Sequence, residues 1–314
     1  MFLINLQQTD PFFNLAVDEF LLKETNNDYF ILGSNSRSVI IGKHQVAHKE
    51  INTKFISDNS IPVIRRISGG GTVYHDEGNI NFSFITRSTK GKQVDFRKYT
   101  TPVIEFLARY GVRAQFEGKS DIRVNGMKIS GNAEHVYRER VLHHGTILVN
   151  ANLLFLKNSI MGNKSAYTTR GIDSNPAKVV NLRDLNVKNT ETESFRNEFI
   201  NFFTEKKENK TINLSDEEII RISNLAKTKY YTWEWNYGYG PDYQFNTTFI
   251  LNGEMVSVSM DVKGGIIESC RIRGSAKANL LADKFTGQKH MPDNIKAILA
   301  EENSFSDLDP FIFF

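Results

Sequence analysis

One cysteine, Cys270, stands alone in 314 residues, so no intramolecular disulfide can form and secretion is not suggested. No cysteines or histidines have C-x-x-C or H-E-x-x-H spacing, which removes the common zinc sites. His44 and His48 stand at i,i+4 but lack the glutamate of a zincin and are assigned no metal. No apolar run approaches the ~20 residues needed to cross a bilayer, and Met1 to Asn14 has neither a basic n-region nor an adequate apolar h-region. Charge is nearly balanced, 39 Lys plus Arg against 36 Asp plus Glu, and the net +3 is too small on this length to call for nucleic acid. A repeat of roughly 20 to 50 residues and low-complexity tracts are also missing, which excludes solenoids and propellers. What remains is a soluble cytoplasmic protein without a nucleic-acid or membrane partner. Its 40% hydrophobic residues are ample for packed cores, and at ~150 residues per domain the length suggests two of them.

The order along the chain is mixed. Asn14 to Glu24 has helical rows of apolar residues, with Asp18 among them, and Tyr29 to Gly33 and Ser38 to Gly42 read as strands, so a helix and then two strands open the fold. Ile61 to Arg66, Asn79 to Thr86 and Gly145 to Asn150 are strand-like, while Thr101 to Tyr110 and Thr192 to Thr204 have helical spacing. Without a βαβα rhythm, the class expected is α+β with a mostly antiparallel sheet. Trp233 to Tyr243 concentrates aromatics and turn formers, which places a boundary between residues 1–242 and 243–314. Beyond it, Asn246 to Leu251, Glu254 to Asp261 and Ile266 to Ile272 form a three-stranded meander turned by Asn252-Gly253 and Gly264-Gly265, followed by helices from Lys277 to Ala300.

The most unusual stretch is Arg65-Arg66-Ile67-Ser68-Gly69-Gly70-Gly71-Thr72-Val73-Tyr74-His75-Asp76. Three consecutive glycines let main-chain N–H groups approach a ligand with no Cβ in the way, which suits a phosphate or a developing oxyanion. The plain alternative is a hairpin tip with solvated arginines, but such a tip has no reason to carry Arg-Arg before the glycines and Tyr-His-Asp after them. Familiar nucleotide motifs fail. Gly118-Lys119-Ser120 looks like the end of a P-loop, yet Arg113 stands where its first glycine belongs, and no G-x-G-x-x-G occurs.

Pleat geometry brings a second group together. Asn125-Gly126 as a two-residue turn pairs Arg123 with Lys128 and Val124 with Met127. Ile122, Val124, Met127 and Ile129 then face the core, and Asp121, Arg123, Lys128 and Ser130 the other side. That polar face could be plain solvent. Like charges opposite one another still repel unless Asp121 or an anionic ligand compensates them, so an anion over this face is the testable reading. In Leu142-His143-His144-Gly145-Thr146, adjacent strand residues face opposite ways, and at most one histidine can look into a site. No cysteine precedes position 270, and Ser68 has no G-x-S-x-G elbow. With Arg65, Arg66, Arg123 and Lys128 beside the glycines, phosphate or adenylate handling is favoured over covalent catalysis.

These residues resemble the lipoate-protein ligase A family, of the full-length bacterial type with a C-terminal accessory domain. Arg65 to Asn79 matches its signature Arg-Arg-x-Ser-Gly-Gly-Gly-x-Val-aromatic-His-Asp-x-Gly-Asn, and Gly126 to Gly131 its Lys-x-Ser-Gly element. His143 to Thr146 and Trp233 to Gly238 agree in type and order. Ile67 departs from the small polar residue often found there, and Glu77 from leucine. The resemblance implies a catalytic domain similar to biotin protein ligases and class II synthetases. It also implies ATP-dependent activation of lipoate to lipoyl-AMP, then transfer of the lipoyl group to a lysine of an acceptor lipoyl domain. Those domains belong to 2-oxoacid dehydrogenase E2 subunits or the glycine cleavage H protein.

By matching positions, the resemblance assigns Arg66, Gly71, Thr72, Val73, Tyr74, Asp121 and Lys178 to ATP or the adenylate. It assigns Arg66, Gly70, His75 and His144 to lipoate, and Lys128 to both ligands as the catalytic cation. The loop Lys164 to Asn181, with Arg170, would cover the adenylate, and Mg2+ with unassigned ligands would screen the pyrophosphate. A lipoyl or octanoyl transferase that cannot make its own adenylate and a non-catalytic lipoate binder are the alternatives. The Cys-dependent amidotransferases of the superfamily do not fit a chain with no early cysteine, and the Gly-Arg-Gly-Arg signature of biotin ligases is missing.

Overall fold

The computed structural model describes residues 1–88, 95–185, 187–188, 190–274, 276–302 and 305–314. Its main sheet has eight strands in the order Lys210–Thr211, Phe2–Asn5, Tyr29–Gly33, Asn79–Arg87, Arg140–Leu148, Met127–Tyr137, Asp121–Val124 and Gln115–Glu117. The pairs that Phe2–Asn5 makes with its two neighbours are parallel, and the others antiparallel. The α+β expectation with a mixed, mainly antiparallel sheet therefore holds.

Alternation along Asn79–Arg87 shows how this sheet divides its faces. Ile80, Phe82 and Phe84 point to one side, where the helices Phe96–Arg109 and Thr192–Thr204 bring Phe106, Phe199 and Phe203. Phe106 stacks on Phe199 with ring centroids 4.2 Å apart. The other face carries Ile31, Ile85 and Leu142 against the helix Pro11–Glu24. A three-stranded sheet, Val63–Arg65, Ser38–Ile41 and Val73–His75, adds Ile40, Ile64 and Val73 to that core. Asn81 and Ser83 face this second layer and line the cavity between the two sheets.

Several element limits differ from the sequence reading for identifiable reasons. The strand Phe2–Asn5 precedes the first helix, and that helix starts at Pro11 with Asp10 accepting from the Phe12 N–H at 2.9 Å. Asp-Pro is an N-cap followed by a first-turn proline. The helix expected from Thr101 begins at Phe96, capped by Asp95, and carries Pro102 inside it. A proline reads naturally as a helix start, which is why the first turn was missed. The strand expected from Gly145 runs Arg140–Leu148. In the hairpin Asp121–Val124 with Met127–Tyr137, Arg123 does oppose Lys128. A bulge then shifts the register so that Ile122 meets Ser130 and Asp121 meets Gly131.

The meander at the C-terminal end is Tyr243–Leu251, Glu254–Lys263 and Ile266–Arg273. Asn252 and Gly253 have φ of 50° and 84°, as a two-residue hairpin turn with positive φ at both positions requires. A fourth strand, Tyr167–Thr169, joins it by pairing with Tyr243–Phe245, where three strands were expected. Three residues are too few to carry a periodic signal. The helices Ala276–Phe285 and Pro292–Glu301 pack on this sheet through Leu281, Phe285, Ile295 and Leu299.

Candidate functional site

A cavity of about 780 Å³ lies between the two sheets of the first 204 residues, closed at one end by the helix Pro11–Glu24 and on its rim by Ile172 to Ala177. Arg66, Gly70, Gly71, Thr72, Val73, His75, Asp121, Lys128 and His144 all line it. Two further expected residues are not brought there. Tyr74 alternates away from its strand neighbours into the cluster of Val39, Ile41 and Val63, and Lys178 is exposed, contributing its carbonyl to the Lys128 N–H at 2.8 Å.

The glycine-rich loop is held from behind by a guanidinium. Arg66 Nη2 donates to Gly69 O at 2.6 Å and Gly71 O at 2.7 Å, and Nη1 to Ile40 O at 3.1 Å. The loop's carbonyls thus turn to Arg66. Gly70 has φ of 88°, a conformation glycine takes without strain, and its carbonyl fills the space that a Cβ on Gly42 would need, 2.0 Å away. The Thr72 N–H donates to Ser174 Oγ at 2.7 Å, and the Ser174 N–H to the Glu50 carboxylate. Lys164 Nζ reaches Ser174 O at 3.0 Å and Lys49 pairs with Asp173 at 2.8 Å. These contacts seat the 170s loop against the glycines.

Arg65, grouped with the anion-handling cations on sequence grounds, has a different role. It is fully buried and donates to the carbonyls of Gly42, Lys43, Gln45, Trp235 and Asn236. Trp235 and Asn236 belong to the wide helical turn Glu234–Gly238, and Asn236 Oδ1 also takes the Arg65 N–H at 2.9 Å. The aromatic motif is therefore the socket of Arg65.

At the far edge of the sheet, Asp121 bridges both cations of the hairpin. Lys128 Nζ lies 2.8 Å from Oδ1, and Arg123 Nη2 2.8 Å from Oδ2. A Cβ on Gly131 would be 3.0 Å from both Cε and Nζ of Lys128, so glycine there clears the path of the lysine. The two histidines separate as the strand alternates. His143 is buried against Glu134 at 2.8 Å and stacks on Tyr99, whereas His144 enters the cavity. Ser68 Oγ accepts from Arg66 Nε at 3.0 Å and lies 2.6 Å from His144 Nε2. Asp18 Oδ2, 3.2 Å from His144 Nδ1 and also accepting from Ser83, can only accept, so Nδ1 carries a proton and in the neutral ring the Ser68 hydroxyl donates to Nε2. Asp18, His144 and Ser68 stand in the order of a catalytic triad, but Ser68 is fully buried off the cavity wall and serves as a link, not a nucleophile.

Asn14, Asp18, Asn35 and Asn132 are cavity residues that sequence reasoning missed. For Asp18 a signal existed: a carboxylate in an apolar helix row is buried and must find a partner. Asn35 lies in the turn after Tyr29–Gly33, where nothing in the pattern marks it.

His75 is pushed down to about 3 by burial, then by Arg66 and His144. Burial likewise lowers His290 to about 4 and holds His48 well below its ordinary value. These two join the C-terminal sheet to the rest, His48 Nε2 donating to His290 O at 2.9 Å. Unfolded histidines take up a proton near pH 6.5 and these folded ones do not, so the unfolded state binds more protons below that pH. Stability is therefore expected to fall from about pH 6.5 towards 4, by up to ~1.4 kcal/mol per pH unit for each such histidine. Urea midpoints measured from pH 8 to 5 check this; a flat profile would contradict it.

A family model of the lipoyl protein ligase A/B catalytic domain matches residues 10–204. Lipoate–protein ligase 1 of Staphylococcus aureus is 35% identical over 317 aligned residues, covering 98% of this chain and 97% of the relative. Solved structures are similar as well. A putative lipoate protein ligase from T. acidophilum with bound lipoic acid is 27% identical at a TM-score of 0.62, covering 74% of this chain and 98% of its own. A lipoate-protein ligase A bound with ATP is 27% identical at a TM-score of 0.63, covering 76% and 98%.

Proposed function

The chain belongs to the lipoyl protein ligase A/B catalytic-domain family, and from that premise we propose that it is an ATP-dependent lipoate–protein ligase working through the cavity between its two sheets. The observation that carries this reading is the meeting of Lys128, Arg66, the glycine loop, His75 and His144 around one cavity within the family match. In the first step a lipoate carboxylate oxygen attacks the α-phosphorus of ATP, the bond to the bridging oxygen breaks, and pyrophosphate leaves. Both reactants are anions, so a fixed ammonium at Lys128 stabilises charge that grows on the way to the pentacoordinate state. In the second step the ε-amine of an acceptor lysine attacks the acyl carbonyl, AMP leaves with the bonding pair, and the amine loses a proton. The mixed anhydride is already a good acyl donor, so orientation supplies much of that rate.

Mg2+ fits as a companion of the triphosphate. No group of three or more His, Cys, Asp or Glu suited to a metal is found among the described residues, but Mg2+ bound through phosphates needs only one or two carboxylates. Asp121 already bridges two cations, while Asp173, half exposed on the rim with one lysine, is the carboxylate better placed to help. The acceptors are lipoyl domains of 2-oxoacid dehydrogenase E2 subunits or the glycine cleavage H protein. Residues 1–242 form the catalytic unit and 243–314 the accessory one, a division supported by the hydrophobic cluster of the C-terminal sheet and helices, to which the first part contributes only Val46, Ala166 and Tyr167 among the buried residues described. The site of action in this reading is the cytoplasm; no described helix is long and apolar enough to cross a membrane.

Lipoate-dependent exchange of labelled pyrophosphate into ATP, without acceptor, tests the assignment. Exchange is expected. Its absence, with transfer from supplied lipoyl-adenylate intact, would make the chain a transferase that depends on another enzyme.

A further inference from the structure

At the end of the cavity away from Lys128, three side chains fix one another's hydrogens. Asn14 Nδ2 lies 3.3 Å from Gln8 O and 3.2 Å from Ser34 O, two carbonyls that only accept, so the nitrogen of that amide is settled. The same nitrogen is 2.8 Å from Asn35, whose near atom is therefore Oδ1. Asn35 Nδ2 is thereby turned onto His75 Nδ1 at 3.0 Å. An amide nitrogen donates, so Nδ1 accepts and the single proton of the neutral ring sits on Nε2. That Nε2 is buried with no hydrogen-bond partner among the described residues, and His75 lines the cavity. His144 has the opposite tautomer and spends both nitrogens on protein partners. A buried N–H donor held in one orientation and left unmet by the protein is a binding group awaiting an acceptor.

The position of this donor identifies what it meets, taking lipoate as the acyl substrate on the reading above. His75 is tied to His144 through Asn35, Asn14 and, one helical turn further, Asp18, and the Lys128 ammonium lies beside Gly131, two residues before the Ala133 that pairs with His144 on the adjacent strand, about 8 Å from it by strand geometry. An eight-carbon acid with its carboxylate at Lys128 therefore extends its tail to His75, along a wall that includes Leu15, Ile31, Ile40 and Val73. We propose that Asn35, oriented by Asn14, is a positioning residue that locks His75 as an Nε2–H donor to the acyl tail, and that this donor selects a tail bearing an acceptor, the ring sulfur of lipoate, over a hydrocarbon tail of equal length. Sulfur is a weak acceptor, but a saturated tail offers none and leaves the donor buried and unmet.

The test combines a spectroscopic and a kinetic readout on the full chain. With 15N-labelled histidine, and His75 assigned by its loss in His75→Gln, the unaltered protein is expected to show the Nε2–H tautomer from pH 8 to 5. Adding lipoate should shift that signal more than adding octanoate. In pyrophosphate exchange, Asn35→Leu is expected to lower the lipoate-over-octanoate ratio of kcat/KM roughly tenfold, chiefly through the KM for lipoate. An Nδ1–H tautomer, equal shifts with the two acids, or an unchanged ratio in a folded Asn35→Leu protein would each overturn the proposal. The first two do not use Asn35→Leu, so misfolding of that variant leaves the question decidable. No exchange with either acid in the unaltered chain would overturn the ligase reading and the selection with it, whereas exchange indifferent to Asn35 overturns the selection alone.

Discussion

Lys128→Ala is expected to lower lipoate-dependent pyrophosphate exchange by about 10²–10³-fold while leaving the fold intact. Two features make that separation possible. The lysine is held through its main chain, its N–H donating to Lys178 O at 2.8 Å and its carbonyl accepting from the Val180 N–H at 3.0 Å, and alanine keeps both bonds. The carboxylate that loses its ammonium is not stranded either, because Arg123 still holds Asp121 at 2.8 Å. What disappears is a single point charge on the cavity wall. Since that charge meets a carboxylate and a phosphate that become one charged centre in the transition state, its loss should appear in kcat as well as in KM. Lys128→Arg is not expected to rescue it. The planar fork needs more room than the path past Gly131 provides, where even a Cβ would lie 3.0 Å from the lysine's Nζ. Near-normal exchange by Lys128→Ala would remove the central cation from the mechanism.

How far the sequence could be read depended on whether a feature repeats locally. Asn252-Gly253, the alternation that separates His143 from His144, and the opposition of Arg123 to Lys128 all follow from periods of two residues or from a turn of two. The bulge beside Ile122 does not, because nothing in the local pattern marks the extra residue that moves Asp121 opposite Gly131. Nor do the strand Tyr167–Thr169 and the parallel strand Phe2–Asn5, whose partners are chosen by the tertiary fold. In the site, residues inside a dense motif were legible as a group, but their division of labour was not. Arg65 and Arg66 look alike in sequence, yet one faces a socket 170 positions later in the chain and the other the glycine loop. Tyr74 and His75 likewise part company only because adjacent strand residues face opposite sides.

Arg65→Met is expected to cost about 3–5 kcal/mol of stability, a larger loss than any change on the cavity wall should cause. Arg65 is fully buried without a carboxylate partner among the described residues, and its charge is met by five main-chain carbonyls. Burial pulls its pKa down only to about 10, so it remains a cation at neutral pH. Replacing a buried ion pair by apolar residues can be neutral when both partners go. Here the acceptors are peptide carbonyls of residues 42, 43, 45, 235 and 236, which no side-chain substitution removes. Methionine matches much of the length but leaves those carbonyls buried with their donor lost. Lysine, with three donors on one nitrogen, cannot span both the 42–45 turn and the Trp235–Asn236 turn and should recover only part of the loss. Urea unfolding monitored by far-UV circular dichroism measures the change, and a midpoint within about 1 kcal/mol of the unaltered protein would refute the socket. The loss should also reach the site through the chain itself. Arg66 is the next residue, and the Arg66 N–H donates to Ile41 O at 3.0 Å, beside the carbonyls that Arg65 holds. Once that turn loosens, the guanidinium that gathers the Gly69 and Gly71 carbonyls is no longer fixed, so exchange activity is expected to fall with stability even though Arg65 touches no substrate.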